Sequence, residues 1–323
     1  MPVSWLLASL ALGGALWALP EARGFRPFSF AILSDLHVGE GAEDFGSVGY
    51  DDRPAPSLPA HPAIRNARAA VDKVNALAAS RGVAFVIVLG DLTDSAERSE
   101  FAGAKLILDG LAVPYVPILG NHDIWPATKA GVAPAPEGPR YFAEVFGPRL
   151  QGLAAAFPDL VRAGSERGLQ NWAFSLRGIG FVLADWNSRG RADGGPDPAA
   201  DLHDGEGGTF PWLEALLRDG WMTSKTRAFL AQHHPLRMKV PFTSPHFAFS
   251  PRERARIKDL LDRLGAASGS AAVLSGHEHR DFAGPAFPDR PGLAQIETAA
   301  AKDGPAVTVI AMDSPTSYSL SRH

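Results

Sequence analysis

The alternation of short apolar runs with amphipathic segments in the first third of the chain is the feature that most constrains the fold. Apolar runs at 28–33, 84–89 and 115–119 predict three strands, and the middle run is apolar throughout, as in a strand buried on both faces. Apolar side chains recur every three to four positions over 63–81, which predicts a helix, and a second helix is predicted over 97–108. This β-α-β-α-β order predicts a parallel sheet with helices packed outside it.

The rest of the chain predicts further strands and helices separated by two loops, over 124–139 and 187–208. Residues 172–176 and 181–184 form a predicted hairpin around a turn at Arg177-Gly178. The other predicted elements are helices over 211–218 and 251–264 and strands over 227–231, 272–274, 293–297 and 307–311. No domain boundary is visible after residue 25, so residues 25–323 are predicted to form one folded domain.

Composition excludes several kinds of site. The chain has 323 residues and no cysteine, which excludes disulfide scaffolds, zinc–thiolate sites, iron–sulfur clusters and a cysteine nucleophile. The signatures of serine esterases, P-loop proteins, dinucleotide-binding folds and HExxH metalloproteases are missing from the sequence. The formal net charge is -4, which gives no support to nucleic acid as a partner. A metal ion, if bound, must be held by His, Asp, Glu, Asn or backbone groups.

Five polar clusters each follow an apolar run that predicts a strand. The clusters are Ser34-Asp35-Leu36-His37, Gly90-Asp91-Leu92-Thr93-Asp94, Gly120-Asn121-His122-Asp123, Gln232-His233-His234-Pro235 and Ser275-Gly276-His277-Glu278-His279. In an open α/β sheet, ligands bind at the carboxyl ends of the strands. We therefore expect these clusters to converge at one edge of the sheet, although they are far apart in the sequence.

The residue types in these clusters indicate a metal site. Carboxylate, imidazole and amide oxygen ligands suit divalent ions such as Mn, Fe, Co or Zn. Asp35-x-His37 and His277-x-His279 are each predicted to lie on extended segments, where alternate side chains point the same way. Six of the ten histidines fall in the five clusters, and glycines beside the ligands permit a close approach of the backbone.

This series of motifs resembles the calcineurin-like metallophosphoesterases, and the resemblance runs from about residue 28 to residue 312. It implies a four-layer α/β/β/α sandwich with a two-metal site. By position in the motifs, one ion would be held by Asp35, His37, Asp91 and His279. The other ion would be held by Asp91, Asn121, His233 and His277, with Asp91 bridging the two. His122 would face the phosphoryl group, and Asp123 would orient the His122 ring.

The resemblance implies that residues 25–323 form a catalytic domain that hydrolyses a small phosphate ester by a metal-bridging hydroxide, with two divalent ions (Mn, Fe, Zn or Co) as cofactors. Asp94 stands where tyrosine-bearing purple acid phosphatases place their tyrosine, and the run Asp91-Leu92-Thr93-Asp94 is more similar to the bacterial phosphodiesterases. A phosphodiester is therefore favoured. The alternatives are a phosphomonoesterase of the same fold and, from another class, a non-catalytic metal-binding scaffold. Every ligand position of the family is filled in this sequence, which argues against the scaffold.

Two further segments carry weaker predictions. Residues 3–19 hold no charge, so 1–24 is predicted to be a signal peptide or membrane anchor of an exported or membrane-anchored protein, with a buried N-terminal helix as the alternative. Asp201-Leu202-His203-Asp204 repeats the Asp-Leu-His pattern in a glycine-rich loop, and we expect a solvated loop or a rim that contacts substrate. Arg237 and Arg280 follow site motifs and are further candidates for phosphate contact, and His234 is expected beside the ligands or facing the substrate.

Overall fold

A computed structural model describes most of the chain. The described residues are 25–42, 61–124, 137–163, 168–189, 200–239, 248–268 and 270–323. The predicted signal peptide or anchor at 1–24 lies outside them. Within this part of the chain, no helix combines the length and the apolar character that crossing a membrane requires.

The described residues contain twelve strands and five α-helices. The strands are β1 (Phe28–Leu33), β2 (Val83–Val88), β3 (Tyr115–Pro117), β4 (Val161–Arg162), β5 (Trp172–Leu176), β6 (Ile179–Leu183), β7 (Arg227–Ala231), β8 (Ser270–Ser275), β9 (Phe282–Phe287), β10 (Arg290–Glu297), β11 (Thr308–Met312) and β12 (Tyr318–Arg322). The helices are α1 (Pro62–Arg81), α2 (Arg98–Leu108), α3 (Gly138–Gly152), α4 (Thr209–Arg218) and α5 (Pro251–Ser268).

The strands form two mixed sheets. The first has the order β12-β11-β1-β2-β3, in which β1, β2 and β3 pair in parallel and β11 and β12 are antiparallel. The second has the order β4-β5-β6-β7-β8-β10-β9, with parallel pairing from β6 through β7 and β8 to β10. The β-α-β-α-β prediction is therefore confirmed, and so is the hairpin of β5 and β6.

Alternate residues of the central strands explain why the two sheets stack face to face. Phe181 and Phe229 point inward and meet Phe30 of the first sheet, with ring centroids 5.0 and 5.3 Å away. Their neighbours Val182 and Leu230 point outward into a second apolar cluster that contains side chains of α4 and α5. Because side chains of a strand alternate between its two faces, each of these strands contributes to both clusters.

The outer faces of both sheets are covered by helices. Helices α1, α2 and α3 contribute Val71, Phe101 and Phe142 to the cluster that includes the first sheet. Helices α4 and α5 contribute Leu213 and Ile257 to the cluster on the outer face of the second sheet. The order of layers is helices, sheet, sheet and helices, which confirms the predicted four-layer α/β/β/α sandwich.

Helix α3 and the edge strands β4, β9 and β12 were not predicted from the sequence. Helix α3 contains Pro148 and begins at a Gly-Pro pair, which interrupts the expected pattern, yet it buries Phe142, Phe146 and Leu150 at intervals of four residues. Strand β9 contains Pro285, which an edge strand accepts because one side of it forms no ladder. In each case tertiary packing outweighs a weak local signal.

Candidate metal centre

The polar clusters that follow β1, β2, β3, β7 and β8 meet at one place in the sandwich. Backbone hydrogen bonds join neighbouring loops: the Asp35 N–H donates to the Gly90 carbonyl (3.0 Å), and the Gly276 N–H donates to the His233 carbonyl (3.1 Å). The His277 N–H donates to Asp35 Oδ2 at 3.1 Å and so connects the second sheet with the first. The convergence expected from the sequence is therefore present, and it occurs where the two sheets adjoin.

Five of the seven predicted ligands have a left-handed backbone conformation. They are Asp35, His37, Asp91, His277 and His279, with φ between 43° and 77°. This corrects the expectation that the Asp-x-His and His-x-His segments are extended, because the chain turns sharply at each ligand. Such conformations are uncommon for residues with a side chain and cost of order 1–3 kcal/mol each, so they persist where the surroundings impose them. Their concentration here points to a functional site.

Close backbone approach explains two of the glycines beside the ligands. A Cβ atom on Gly120 would lie 2.2 Å from Asp91 Oδ1, and one on Gly276 would lie 1.8 Å from Ser34 Oγ. Both distances are far shorter than non-bonded contacts allow. A larger residue at either position would push a ligand loop away from its neighbour.

One set of three ligands lies on the more open side of the centre, and we name Asp35, His37 and His279 the outer group. Their ligand atoms all lie within 4.8 Å of one another. His279 Nε2 lies 3.3 Å from Asp35 Oδ1, and the His279 side chain is 29% exposed. Asp303 Oδ2 lies 3.6 Å from the other ring nitrogen of His279. The three donor atoms are therefore close enough together to bind one ion.

A second set of three ligands is more deeply placed, and we name Asp91, His233 and His277 the inner group. Their ligand atoms also lie within 4.8 Å of one another. His233 Nε2 lies 3.0 Å from Asn121 Oδ1 and 3.2 Å from His277 Nδ1. His233 Nδ1 faces the Leu89 carbonyl at 2.7 Å, which fixes the ring. Asn121 thus stands as a fourth donor beside this group.

Asp91 lies between the two groups. Its Oδ2 atom is 3.2 Å from His233 Nε2 in the inner group and 3.5 Å from His37 Nε2 in the outer group. Its Oδ1 atom accepts a hydrogen bond from the His122 N–H at 2.9 Å. One carboxylate therefore reaches both groups, which is the position that a bridging ligand requires.

Charge is distributed unevenly among these buried residues. Burial raises the pKa of the Asp91 carboxyl, but His233, His122 and His37 outweigh that effect and hold it well below its usual range. Burial lowers the pKa of His233, but Asp91 and then Asp35 raise it to about 9. Burial, followed by the charge of His233, lowers the pKa of His277 to about 3. The carboxylates are thus ionised and keep positive charge beside them.

The donors fit a pair of divalent cations. Asp35 Oδ1 and His37 Nε2 are buried and have no hydrogen-bond partner among the residues that the structure describes. Buried polar atoms of this kind are costly unless a partner satisfies them, and a cation satisfies both. The outer group with Asp91 would supply four ligands to one ion, and the inner group with Asn121 would supply four to the other. Carboxylate, imidazole and amide oxygen donors suit Mn, Fe, Co or Zn.

The His122 ring stands at the mouth of the centre. Its side chain is 40% exposed, and its centroid lies 4.5 Å from that of His37. Its Nδ1 atom lies 2.7 Å from the Asp94 carbonyl oxygen, which can only accept a hydrogen bond, so Nδ1 carries the proton. Burial lowers the pKa of this ring, but Asp91 and the Asp94 carbonyl raise it overall. A second proton would therefore reside on Nε2.

Asp123 does not orient the His122 ring as the sequence predicted. Its carboxylate is fully buried and accepts hydrogen bonds from the N–H groups of Leu92, Thr93 and Gly120 and from the Thr93 hydroxyl. Burial and then the charge of Asp91 raise the pKa of Asp123 to about 6. Asp123 thus fixes the backbone of the residues that follow Asp91 and of Gly120, which precedes Asn121. The His122 ring is held by Asp94 instead.

Asp94 is the functional candidate that the sequence reasoning missed. Its Oδ1 atom lies 2.9 Å from His37 Nδ1 and 3.9 Å from His122 Nδ1. A carboxylate on the far nitrogen of a metal-binding histidine fixes the ring and raises its basicity. The sequence marks Asp94 as the residue that stands in place of a tyrosine. Its contacts with His37 and His122 could not be inferred from that position.

The other candidates near the centre have definite positions. The guanidinium of Arg280 pairs with Glu278 (2.8 Å) and the buried Glu297 (3.2 Å), which leaves it committed to carboxylates. Arg237 is exposed, with its guanidinium over the Phe282 ring. His234 is fully buried, with its ring centroid 4.6 Å from that of His277, and so lies beside the ligands.

The loop around Asp201 to Asp204 is not the solvated loop that we expected. Leu202 and His203 are buried, and His203 Nε2 lies 2.8 Å from the Asn187 carbonyl. The Asn187 side-chain amide donates to the Leu119 carbonyl at 2.8 Å and approaches Asp185. Because Leu119 directly precedes Gly120 and Asn121, this buried network supports the loop that carries the inner group's fourth donor.

Comparisons with known proteins agree with this geometry. A model of the family described as calcineurin-like phosphoesterase matches residues 28–281. A dimetal phosphatase from Danio rerio is similar in structure, with a TM-score of 0.52 and 15% sequence identity, over 91% of this chain and 99% of that chain. A purple acid phosphatase from yellow lupin (Lupinus luteus) is similar with a TM-score of 0.54 and 12% identity, over 92% of this chain and 51% of that chain. No curated protein sequence matches at a significant level.

Proposed function

The chain belongs to the calcineurin-like phosphoesterase family, as a metal-dependent phosphoric ester hydrolase, and we propose that its substrate is a small phosphodiester. The observation that carries the site assignment is the position of Asp91, whose Oδ2 atom approaches both His37 and His233. Asp91 would be a ligand shared by the outer and inner groups, and divalent ions held there would supply charge neutralisation of the phosphoryl oxygens and activation of water.

Two observations support a diester over a monoester. Asp94 occupies the position that is tyrosine in the tyrosine-bearing purple acid phosphatases, and it adds negative charge beside His122. The positive charge of Arg280 is already paired with Glu278. A diester carries one negative charge at its phosphorus centre, whereas a monoester carries up to two. A site with this charge distribution suits the diester.

His122 is proposed to protonate the departing oxygen. Its Nδ1 atom is held by the Asp94 carbonyl, and its raised pKa favours a second proton on Nε2, which is the atom free to face the substrate. A positioned general acid contributes about 10²–10⁴-fold to a rate. An alkoxide needs that proton far more than a nitrophenolate does, because the nitrophenolate leaves as a stable anion.

The test is hydrolysis of matched mono- and diesters, with alkyl and nitrophenyl leaving groups, by Mn-loaded protein. We expect the diesters to react faster than the monoesters. We also expect His122→Ala to slow alkyl esters far more than nitrophenyl esters, with metal content unchanged. Preference for monoesters would overturn the diester proposal, and full metal occupancy without hydrolysis of any ester would favour a non-catalytic scaffold. Equal losses on both leaving groups would overturn the role of His122.

We further propose that residues 1–24 direct export of the protein or tether it to a membrane, since residues 3–19 are apolar and uncharged. Strand β1 begins at Phe28, after this segment. Removal of residues 1–24 should yield a folded enzyme that no longer reaches the membrane or the exported fraction. An unfolded product would favour the alternative of a buried N-terminal helix.

A further inference from the structure

Lys302 occupies a position that is fixed against the outer group. It lies in the loop between β10 and β11, and its N–H donates to the Asp35 carbonyl at 3.0 Å. The neighbouring Ala301 N–H donates to the Ser34 carbonyl at 2.8 Å, and the Asn66 amide donates to the Lys302 carbonyl at 2.7 Å. The main chain at Lys302 is therefore held at the edge of the metal centre from two sides.

The side chain of Lys302 is paired with a carboxylate at the rim. Its ammonium group contacts Glu40, which lies three residues after His37. The Lys302 side chain is 14% exposed and that of Glu40 is 38% exposed, so the pair borders solvent. An ion pair at such a position is worth about 0–1 kcal/mol. The ammonium can therefore exchange Glu40 for another anion at little cost.

The positive charge of Lys302 influences titratable groups on the same side of the centre as His122. Partial burial opposes the charge of Lys302, but Glu40, followed by Asp303 and Asp94, raises its pKa. Lys302 also acts on His279, where it opposes protonation of the ring. Asp94 lies beside His122, and His279 is the exposed ligand of the outer group. The ammonium, held at Glu40, thus lies at the rim of the centre beside the outer group, within reach of the part of a substrate that extends from the phosphorus.

Lys302 differs in this respect from Arg280 and Arg189. Arg280 donates two hydrogen bonds to Glu278, whose side chain is only 10% exposed, and Arg189 is paired with the fully buried Asp185. Releasing either guanidinium would leave a carboxylate buried without its partner, which is strongly unfavourable. Releasing Lys302 leaves Glu40 in contact with water. Lys302 is therefore the cation among these three that can accept a ligand.

We propose that Lys302 is a specificity-determining residue that binds a second anionic group of the substrate, and that Glu40 competes with this group for the ammonium. The inference rests on the proposed function. The substrate class is an organic phosphate ester whose alcohol portion carries a further phosphate or carboxylate.

The experiment compares two 4-nitrophenyl phosphodiesters whose second alcohol bears either a carboxylate or the corresponding neutral amide. The quantity measured is the ratio of kcat/KM for the carboxylate diester to that for the amide diester, with Mn-loaded protein. We expect Lys302→Gln to lower this ratio about fivefold, in line with the strength of a rim ion pair. We expect Glu40→Gln to raise it about twofold, because the competing carboxylate is gone.

The opposite signs separate substrate binding from a structural role. Both variants break the same ion pair, so an ion pair that only ties the two loops together would change both variants alike and leave the ratio unmoved. That result would overturn the proposal, as would a fall of the ratio in Glu40→Gln. The control Lys105→Gln removes an ion pair on helix α2 and should leave the ratio unchanged. Failure of the proposed function is distinguishable, because wild-type protein would then hydrolyse neither diester.

Discussion

The inner and outer groups have the same kinds of ligand but different supports. In the inner group, His233 is fully buried and its far ring nitrogen faces a backbone carbonyl. In the outer group, the far nitrogens of His37 and His279 face the side chains of Asp94 and Asp303. The inner group is also closed to solvent at His233, whereas the His279 side chain of the outer group is 29% exposed. We therefore expect the inner group to hold its ion more firmly than the outer group does.

The largest effect should come from the residue that belongs to both groups. Asp91→Ala removes the carboxylate that approaches His37 and His233, so both ions should be lost together. The rate of hydrolysis should fall by more than 10–100-fold, which is the typical loss when a residue that only supports a metal ligand is removed. Metal analysis and kcat/KM measure the two effects. Wild-type metal content in this variant would show that Asp91 does not bridge.

Substitution of Asp94 should affect the outer group alone. Asp94→Ala leaves the far nitrogen of His37 without its carboxylate, which should weaken binding of one ion by about 10–100-fold. Dialysis against a weak chelator should then leave one metal equivalent per chain, where the wild type keeps two. Loss of both ions at the same chelator concentration would contradict the difference between the groups.

Substitution of Asn187 should weaken the support of the inner group. Asn187→Ala removes the hydrogen bond to the Leu119 carbonyl and should lower the free energy of unfolding by about 1 kcal/mol. The control is Asn75→Ala, which also loses backbone hydrogen bonds but on the exposed face of α1. If both variants lose stability but only Asn187→Ala loses affinity for the inner ion, the network supports the site. Equal metal affinity in the two variants would contradict that role.

A prediction of a different kind concerns how stability depends on pH, through the buried carboxyl of Glu297. Burial raises the pKa of Glu297 from 4.5 to about 8, despite the charge of Arg280. Between these values the folded chain retains a proton that the unfolded chain releases, so the free energy of unfolding should decrease as pH rises across the interval. Glu297→Gln should flatten that dependence in urea unfolding curves. The exposed Glu144→Gln should leave the slope as it is, and an unchanged slope in Glu297→Gln would contradict the raised pKa.

Much of the fold and the membership of the site followed from the sequence, because strand periodicity and polar residues at strand ends are local signals. The backbone conformation of the ligand residues could not be predicted from the sequence. The left-handed backbone at Asp35 and His277 arises from loops packed across two sheets, which spacing alone does not encode. The exchange of roles between Asp94 and Asp123 has the same origin, since Asp94 and His122 are 28 positions apart and meet only in the folded chain.

The burial of His203 was also beyond local reasoning. The surrounding glycines predict a solvated loop, but the loop packs against the residues that follow β6, and the contact with Asn187 then buries the ring. Helix α3 was hidden for a related reason, because Pro148 weakens the local pattern while the core side chains of the helix retain it. Both are cases in which distant packing decides the outcome.

The left-handed backbone conformation at the ligands affects how this centre would be lost during evolution. Glycine adopts that conformation without the penalty of about 1–2 kcal/mol that other residues incur. Replacement of Asp35 or His279 by glycine would abolish a metal ligand and, at the same step, relieve the backbone at that position. Asp35 also accepts the hydrogen bond from His277 N–H that connects the sheets, whereas His279 is partly exposed, so a lineage no longer selected for catalysis would lose its site first at His279. Only continued selection for turnover opposes that drift.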